Sequence, residues 1–124
     1  MQDNKYVILC VDDDPDILDT LQIFIEKAGY VYVGAASAEE GLRAYKKAKP
    51  DLVMVDLMME ETDSGANMVK ELKVLGYKGP IYMLSNVGDA LHGSIDSATL
   101  GLDGVFQKPI AYEVLVKTLK HKLK

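Results

Sequence analysis

The sequence predicts an α/β fold, a doubly wound parallel sheet of five strands alternating with five helices. Three observations predict it. Short apolar runs recur along the chain, each bounded by charged or turn-forming residues, as buried strands require. Between them lie segments whose apolar residues repeat at helical spacing. No linker, internal repeat or low-complexity tract interrupts this alternation, and strand–helix alternation means a parallel sheet with helices on both faces.

Residues 6–11 form the first strand, an apolar run ending at Asp12-Asp13. Asp14-Pro15 opens a helix, because Asp caps an N-terminus well and Pro is tolerated at the first helical position. Ile17, Leu18, Leu21, Phe24, Ile25 and Ala28 keep its apolar face, and Gly29 ends it in the left-handed conformation. Residues 30–35 are the second strand. Ser37-Ala38-Glu39-Glu40 is a capping box that starts a helix running to about Lys49, before Pro50. Residues 52–55 make the third strand, 66–75 a helix ended by Gly76, and 81–84 the fourth strand. A helix over 87–100 carries Gly88 and Gly93 and several small residues, which weaken it. Residues 105–107 are the fifth strand, and Lys108-Pro109 turns the chain into a last helix over 112–122. Right-handed crossovers leave few topologies for such a chain, and the flavodoxin-like order 2-1-3-4-5 suits it best.

The chain has 124 residues, 48% apolar and 27% charged, which suits one soluble domain, 1–124, with its own core. Cys10 is the only cysteine, so no intrachain disulfide can form. It lies in an apolar strand without a basic neighbour and reads as a small core residue in a reducing, cytoplasmic compartment. The net charge of −5 argues against this domain gripping a nucleic-acid backbone. No apolar stretch is long enough to span a bilayer, and the polar first residues do not look like a signal peptide. Lys117, Lys120, Lys122 and Lys124 fit the negative end of the last helix dipole rather than a docking patch. His92 and His121 have no Cys or His partner at metal spacing and are expected to face solvent.

In doubly wound folds, ligands bind beyond the carboxyl ends of the strands. The residues there are Asp12 and Asp13 after the first strand, Asp56 after the third, Ser85 after the fourth and Lys108 after the fifth. Their intervals suit two βα units and then about one unit each, so all should converge on one rim. Carboxylates ~4 Å apart repel by roughly 4 kcal/mol per pair at an effective dielectric near 20. A hard cation with oxygen ligands relieves that repulsion, and Mg²⁺ takes one or two carboxylates and keeps several waters. Lys108 adds a fixed positive charge. A carboxylate beside a cation, an ammonium and a hydroxyl can accept a phosphoryl group, since its partners neutralise the transferring oxygens. Asp14, Asp16, Asp51, Asp63 and Asp103 read instead as turn or capping residues, and Met58 and Met59 by themselves as packing residues.

Val11-Asp12-Asp13-Asp14-Pro15, the run from Asp51 to Asp56, Ser85 and Lys108-Pro109 together resemble the response-regulator receiver domain of two-component signalling, over essentially the whole chain. The resemblance implies a phosphorylation switch that catalyses only its own phosphoryl transfer and dephosphorylation and is otherwise no enzyme. Asp56 would accept the phosphoryl group from a partner histidine kinase or phosphotransfer protein. Asp13 would bind Mg²⁺ directly, Asp12 through water, and Asp56 and the Met58 carbonyl would complete the protein ligands. Ser85 would hydrogen-bond the phosphoryl group and Lys108 pair with it, and a downstream target protein would read the result.

The chain departs from the family pattern in three places. Glu60 stands where Pro is usual, and Gly65 comes one residue late, so the loop after Asp56 is longer and less rigid. Val105 takes the position of an aromatic that swings inward on activation, with Phe106 beside it; Val has no ring to move, so the readout should differ. Asn86 replaces a small residue, and Met58 and Val87, which flank the route of an attacking water, are both apolar, which predicts slow self-dephosphorylation. Two rival functions remain open on the sequence: a non-phosphorylated receiver-like scaffold that binds proteins constitutively, and a metal-dependent phosphohydrolase acting on small molecules.

Overall fold

Strands that are apolar at every position must be covered on both faces, and this requirement organises the molecule. The computed structural model describes residues 4–56, 64–85 and 102–123. Within them lie five strands, β1 (Val7–Val11), β2 (Val31–Ala35), β3 (Leu52–Asp56), β4 (Ile81–Ser85) and β5 (Gly104–Gln107). Every strand pair is parallel, and the order is β2-β1-β3-β4-β5, as the sequence predicts. The described helices are α1 (Pro15–Lys27), α2 (Ala38–Ala48), α3 (Ser64–Val74) and α4 (Tyr112–Lys122). The helix expected over 87–100 lies outside the described residues.

Side chains alternate across the sheet and so divide the core in two. Leu9, Val11, Val53 and Val55 face Met68, Val69 and Leu72 of α3. Ile8, Cys10, Leu52 and Met54 face Leu21 and Ile25 of α1 and Leu115 and Leu119 of α4. Full burial of each large aliphatic chain contributes about 1.5–3 kcal/mol, which favours this sheet over any arrangement that exposes one face. Cys10 is fully buried, as expected of a core residue, and burial pushes its thiol pKa upward.

Helix ends follow their local chemistry. Asp14 caps α1 by accepting the Asp16 N–H, with Pro15 at the first position. Gly29 (φ 94°) closes it with paired bonds, Tyr30 N–H to Ile25 O and Gly29 N–H to Glu26 O. Gly76 (φ 95°) repeats this ending after α3. At α2, the Ser37 hydroxyl accepts the Glu40 N–H, but the Glu40 carboxylate reaches back to the Ala36 N–H, one residue beyond the usual capping-box partner. Helix α3 starts two residues earlier than periodicity suggests, and β3, β4 and β5 each gain one residue at an end.

Two aspartates read as turn residues clamp the sheet at the amino-terminal ends of its strands. The Asp51 carboxylate accepts the Val7 N–H at 2.8 Å, tying the start of β1 to the segment before β3. Asp103 accepts the Ile81 N–H and pairs with Lys122 of α4, each at 3.2 Å.

Candidate metal and phosphoryl site

The register of the sheet builds the site. Val11 pairs with Val55, so Asp12, just past the end of β1, lies beside Asp56, the last residue of β3, which is still paired with Leu84 of β4. This is the switch point, where the chain departs to β2 on one side and towards β4 on the other. Ser85 closes β4 opposite Gln107 of β5, and the Lys108 N–H donates to the Ser85 carbonyl at 2.7 Å. That bond holds the start of the Lys108 turn against the end of β4.

One ligand oxygen from each of Asp12, Asp13 and Asp56 lies within 4.8 Å of the others. Asp12, Asp56 and Ser85 are buried at 0%, 3% and 1% exposure, while Asp13 is exposed. The Lys108 ammonium sits 2.8 Å from Asp12 Oδ2 and 3.2 Å from Asp56 Oδ1. Asp12 Oδ1 accepts the Asp14 N–H at 2.9 Å, so the same turn that starts α1 orients the carboxylate.

Burial alone would lower the pKa of Lys108. Its close ion pair with Asp12 and the charge of Asp56 outweigh that effect and raise it above the ordinary lysine value. The ammonium is therefore fixed as a cation, but one positive charge faces three carboxylates. Asp12 Oδ2 is buried with the ion pair to Lys108 and no well-directed hydrogen bond among the described residues. An oxygen-only donor set with excess negative charge, open to solvent at Asp13, fits a hard divalent cation that keeps part of its water shell.

The structure thus brings Asp12, Asp13, Asp56 and Lys108 together and sets Ser85 on the same rim. Met58, Glu60, Asn86, Val87 and His92 lie outside the described residues. His121 is exposed, as expected. Sequence reasoning missed the bridging role of Lys108, whose contact with Asp12 is shorter than that with Asp56. It also missed the Asp14 amide on Asp12, for which the Asp-Asp-Asp-Pro run was the available signal. Val105 is 46% exposed, whereas Phe106 is 5% exposed and packs on Tyr82 with ring centroids 5.1 Å apart.

Comparisons with known proteins point to one family and one fold. The family profile described as "Response regulator receiver domain" matches residues 8–120. The transcriptional regulatory protein GlrR of Escherichia coli is 35% identical over 120 residues, covering 94% of this chain and 26% of that protein. The alkaline phosphatase synthesis transcriptional regulatory protein PhoP of Bacillus subtilis is 34% identical over 104 residues, 84% of this chain and 42% of that protein. The chain thus spans less than half the length of either relative. Among solved structures, a CheY-like response regulator receiver domain protein from Methanospirillum hungatei superposes with a TM-score of 0.86 at 28% identity, covering 97% of this chain and 94% of that one. Chemotaxis protein CheY4 of Vibrio cholerae gives 0.85 at 28% identity, over 96% and 99%.

Proposed function

Because this chain belongs to the response regulator receiver domain family, we propose that it is a single receiver domain, 1–124, that switches on phosphorylation of Asp56. The observation that carries the proposal is the meeting of Asp12, Asp13 and Asp56, two of which, Asp12 and Asp56, pair with the Lys108 ammonium. The donor is a histidine kinase or phosphotransfer protein. An Asp56 carboxylate oxygen bonds to phosphorus as the phosphorus–nitrogen bond to the donor imidazole breaks, and the electron pair leaves with the imidazole. Lys108 stabilises charge on the transferring oxygens, and Ser85 donates its hydroxyl to one of them.

Mg²⁺ would be held by Asp12, Asp13, Asp56 and the Met58 carbonyl, and when bound it would supply positive charge against the phosphoryl oxygens. The domain turns over no external substrate; it catalyses only its own phosphorylation and its hydrolysis. It works in the cytoplasm through protein contacts, with the kinase and a downstream target, and binds no nucleic acid itself. Among the described residues no helix is long and apolar enough to cross a membrane.

Phe106 is packed into the α1 and α4 side of the core, which supports a readout that does not use a swinging ring at the Val105 position. A phosphorylated form in which Phe106 rotates towards the site would overturn that reading. Met58 and Val87 offer no hydrogen bond to an attacking water. Met58→Asn with Val87→Glu is expected to speed loss of the phosphoryl group, measured by phosphate release, and an unchanged rate would count against the idea.

Mass spectrometry after treatment with acetyl phosphate and Mg²⁺ tests the central claim. One added phosphoryl group on the native chain, absent from Asp56→Asn, is the expected result. No gain would favour the constitutive scaffold, and steady phosphate release from small esters a phosphohydrolase.

A further inference from the structure

Away from the acidic rim, β2 forms one edge of the sheet among the described residues. Its inward-facing backbone groups are spent on β1: the Val31 N–H donates to Tyr6 O, and Ala35 O accepts the Asp12 N–H. In a parallel strand alternate residues bond to alternate sides. The N–H and C=O groups of Tyr32 and Gly34 therefore point outward from the sheet.

A cleft of about 340 Å³ opens beside these two residues, walled by Pro15, Leu18 and Asp19 of α1 and by Glu40 of α2. Its floor is built deliberately flat. The Tyr32 ring lies across Gly34, where an added Cβ would come within 2.1 Å of the Tyr32 hydroxyl oxygen. Among the described residues its charged lining groups are the carboxylates of Asp19 and Glu40, with no Lys or Arg beside them. Glu40 is held in place by the Ala36 N–H at 2.9 Å. Burial first, then Cys10, Asp19 and Glu26, push the Tyr32 phenol pKa up to about 12; of these only Asp19 lines the cleft.

We propose that the outer edge of β2 accepts an extended basic segment of a partner protein by strand addition, with one Lys or Arg side chain lying over Tyr32 between Asp19 and Glu40. Outward N–H and C=O groups supply the main-chain bonds, and the pocket beside the strand reads every second side chain. The aliphatic stem of Lys or Arg packs on Pro15, Leu18 and the Tyr32 ring while its charged head meets the carboxylates. Charge complementarity selects this occupant: the two exposed carboxylates repel an acidic segment and give a neutral one no electrostatic gain. The inference does not depend on Asp56 accepting a phosphoryl group.

The test is titration of the ¹⁵N-labelled chain with a short blocked peptide of alternating valine and arginine. Amide shifts should centre on Tyr32, Gly34, Ala36 and Glu40 and weaken with salt. Asp19→Asn combined with Glu40→Gln should weaken binding about tenfold. A peptide N-methylated at alternate residues should not bind in the strand register. The proposal is overturned if a valine–glutamate peptide shifts the same amides, if the shifts fall instead on Asp12 to Asp16, or if none appear. It is equally overturned if the N-methylated peptide binds as well, or if these amides shift with protein concentration alone, which would make a second copy the occupant.

Discussion

Lys108 is the residue on which the site balances. Its side chain is 9% exposed, and its ammonium serves two buried carboxylates. Removing one partner of a buried ionic cluster leaves the others uncompensated and costs about 3–5 kcal/mol. Lys108→Ala is therefore expected to lower unfolding free energy in urea by about 3 kcal/mol without metal. Asp13→Asn should act in the opposite direction. It removes one of three crowded carboxylates from an exposed position and should raise metal-free stability by about 0.5–1 kcal/mol. Adding Mg²⁺ should stabilise the native chain more than Asp13→Asn, since only a site that binds the ion in the folded state gains from it. Equal stabilisation of both would remove Asp13 from the ligand set.

Helix α2 shows how closely an element is fitted to the sheet. Gly41 is buried in its middle, where glycine ordinarily costs a helix about 1 kcal/mol relative to alanine. The reason lies across the interface: an added Cβ would come within 2.7 Å of Met68 Cε and 2.8 Å of Val11 Cγ2. Met68 can shift its flexible end, but Val11 is fixed in β1, whose last residue precedes Asp12. Gly41→Ala should thus lose about 1 kcal/mol or more through overpacking, in spite of its better helix propensity. Thermal denaturation checks this, and a rise in midpoint would show that the interface yields.

At the scale of the whole molecule, tyrosines packed at several seams give the fold an alkaline limit. Burial raises the phenols of Tyr30, Tyr32, Tyr77 and Tyr82, with Tyr32 pushed up to about 12. A group with a raised folded pKa keeps its proton after the unfolded chain has released it. Its stabilising effect is whole below the unfolded value of about 10 and is lost as pH rises through the folded value. Lys108, also raised, acts in the same sense. Denaturation midpoints should be flat from neutrality to about pH 9 and fall steadily from about pH 10 to 12. Tyr77→Phe should flatten part of that slope while losing the hydrogen bond to the Pro80 carbonyl. The five strands, their order, Gly29 and Gly76 as helix stops, and the gathering of Asp12, Asp13, Asp56 and Lys108 were all legible in the amino-acid order. Periodicity and turn chemistry are local properties, and in a βα repeat they bring the strand ends to one rim. Tertiary structure alone decided which oxygen meets Lys108, the reach of Glu40 to Ala36, the clamps at Asp51 and Asp103, and the ring of Tyr32 on Gly34. Those depend on distances between atoms remote in the chain or on one rotamer among several, and no local pattern carries either.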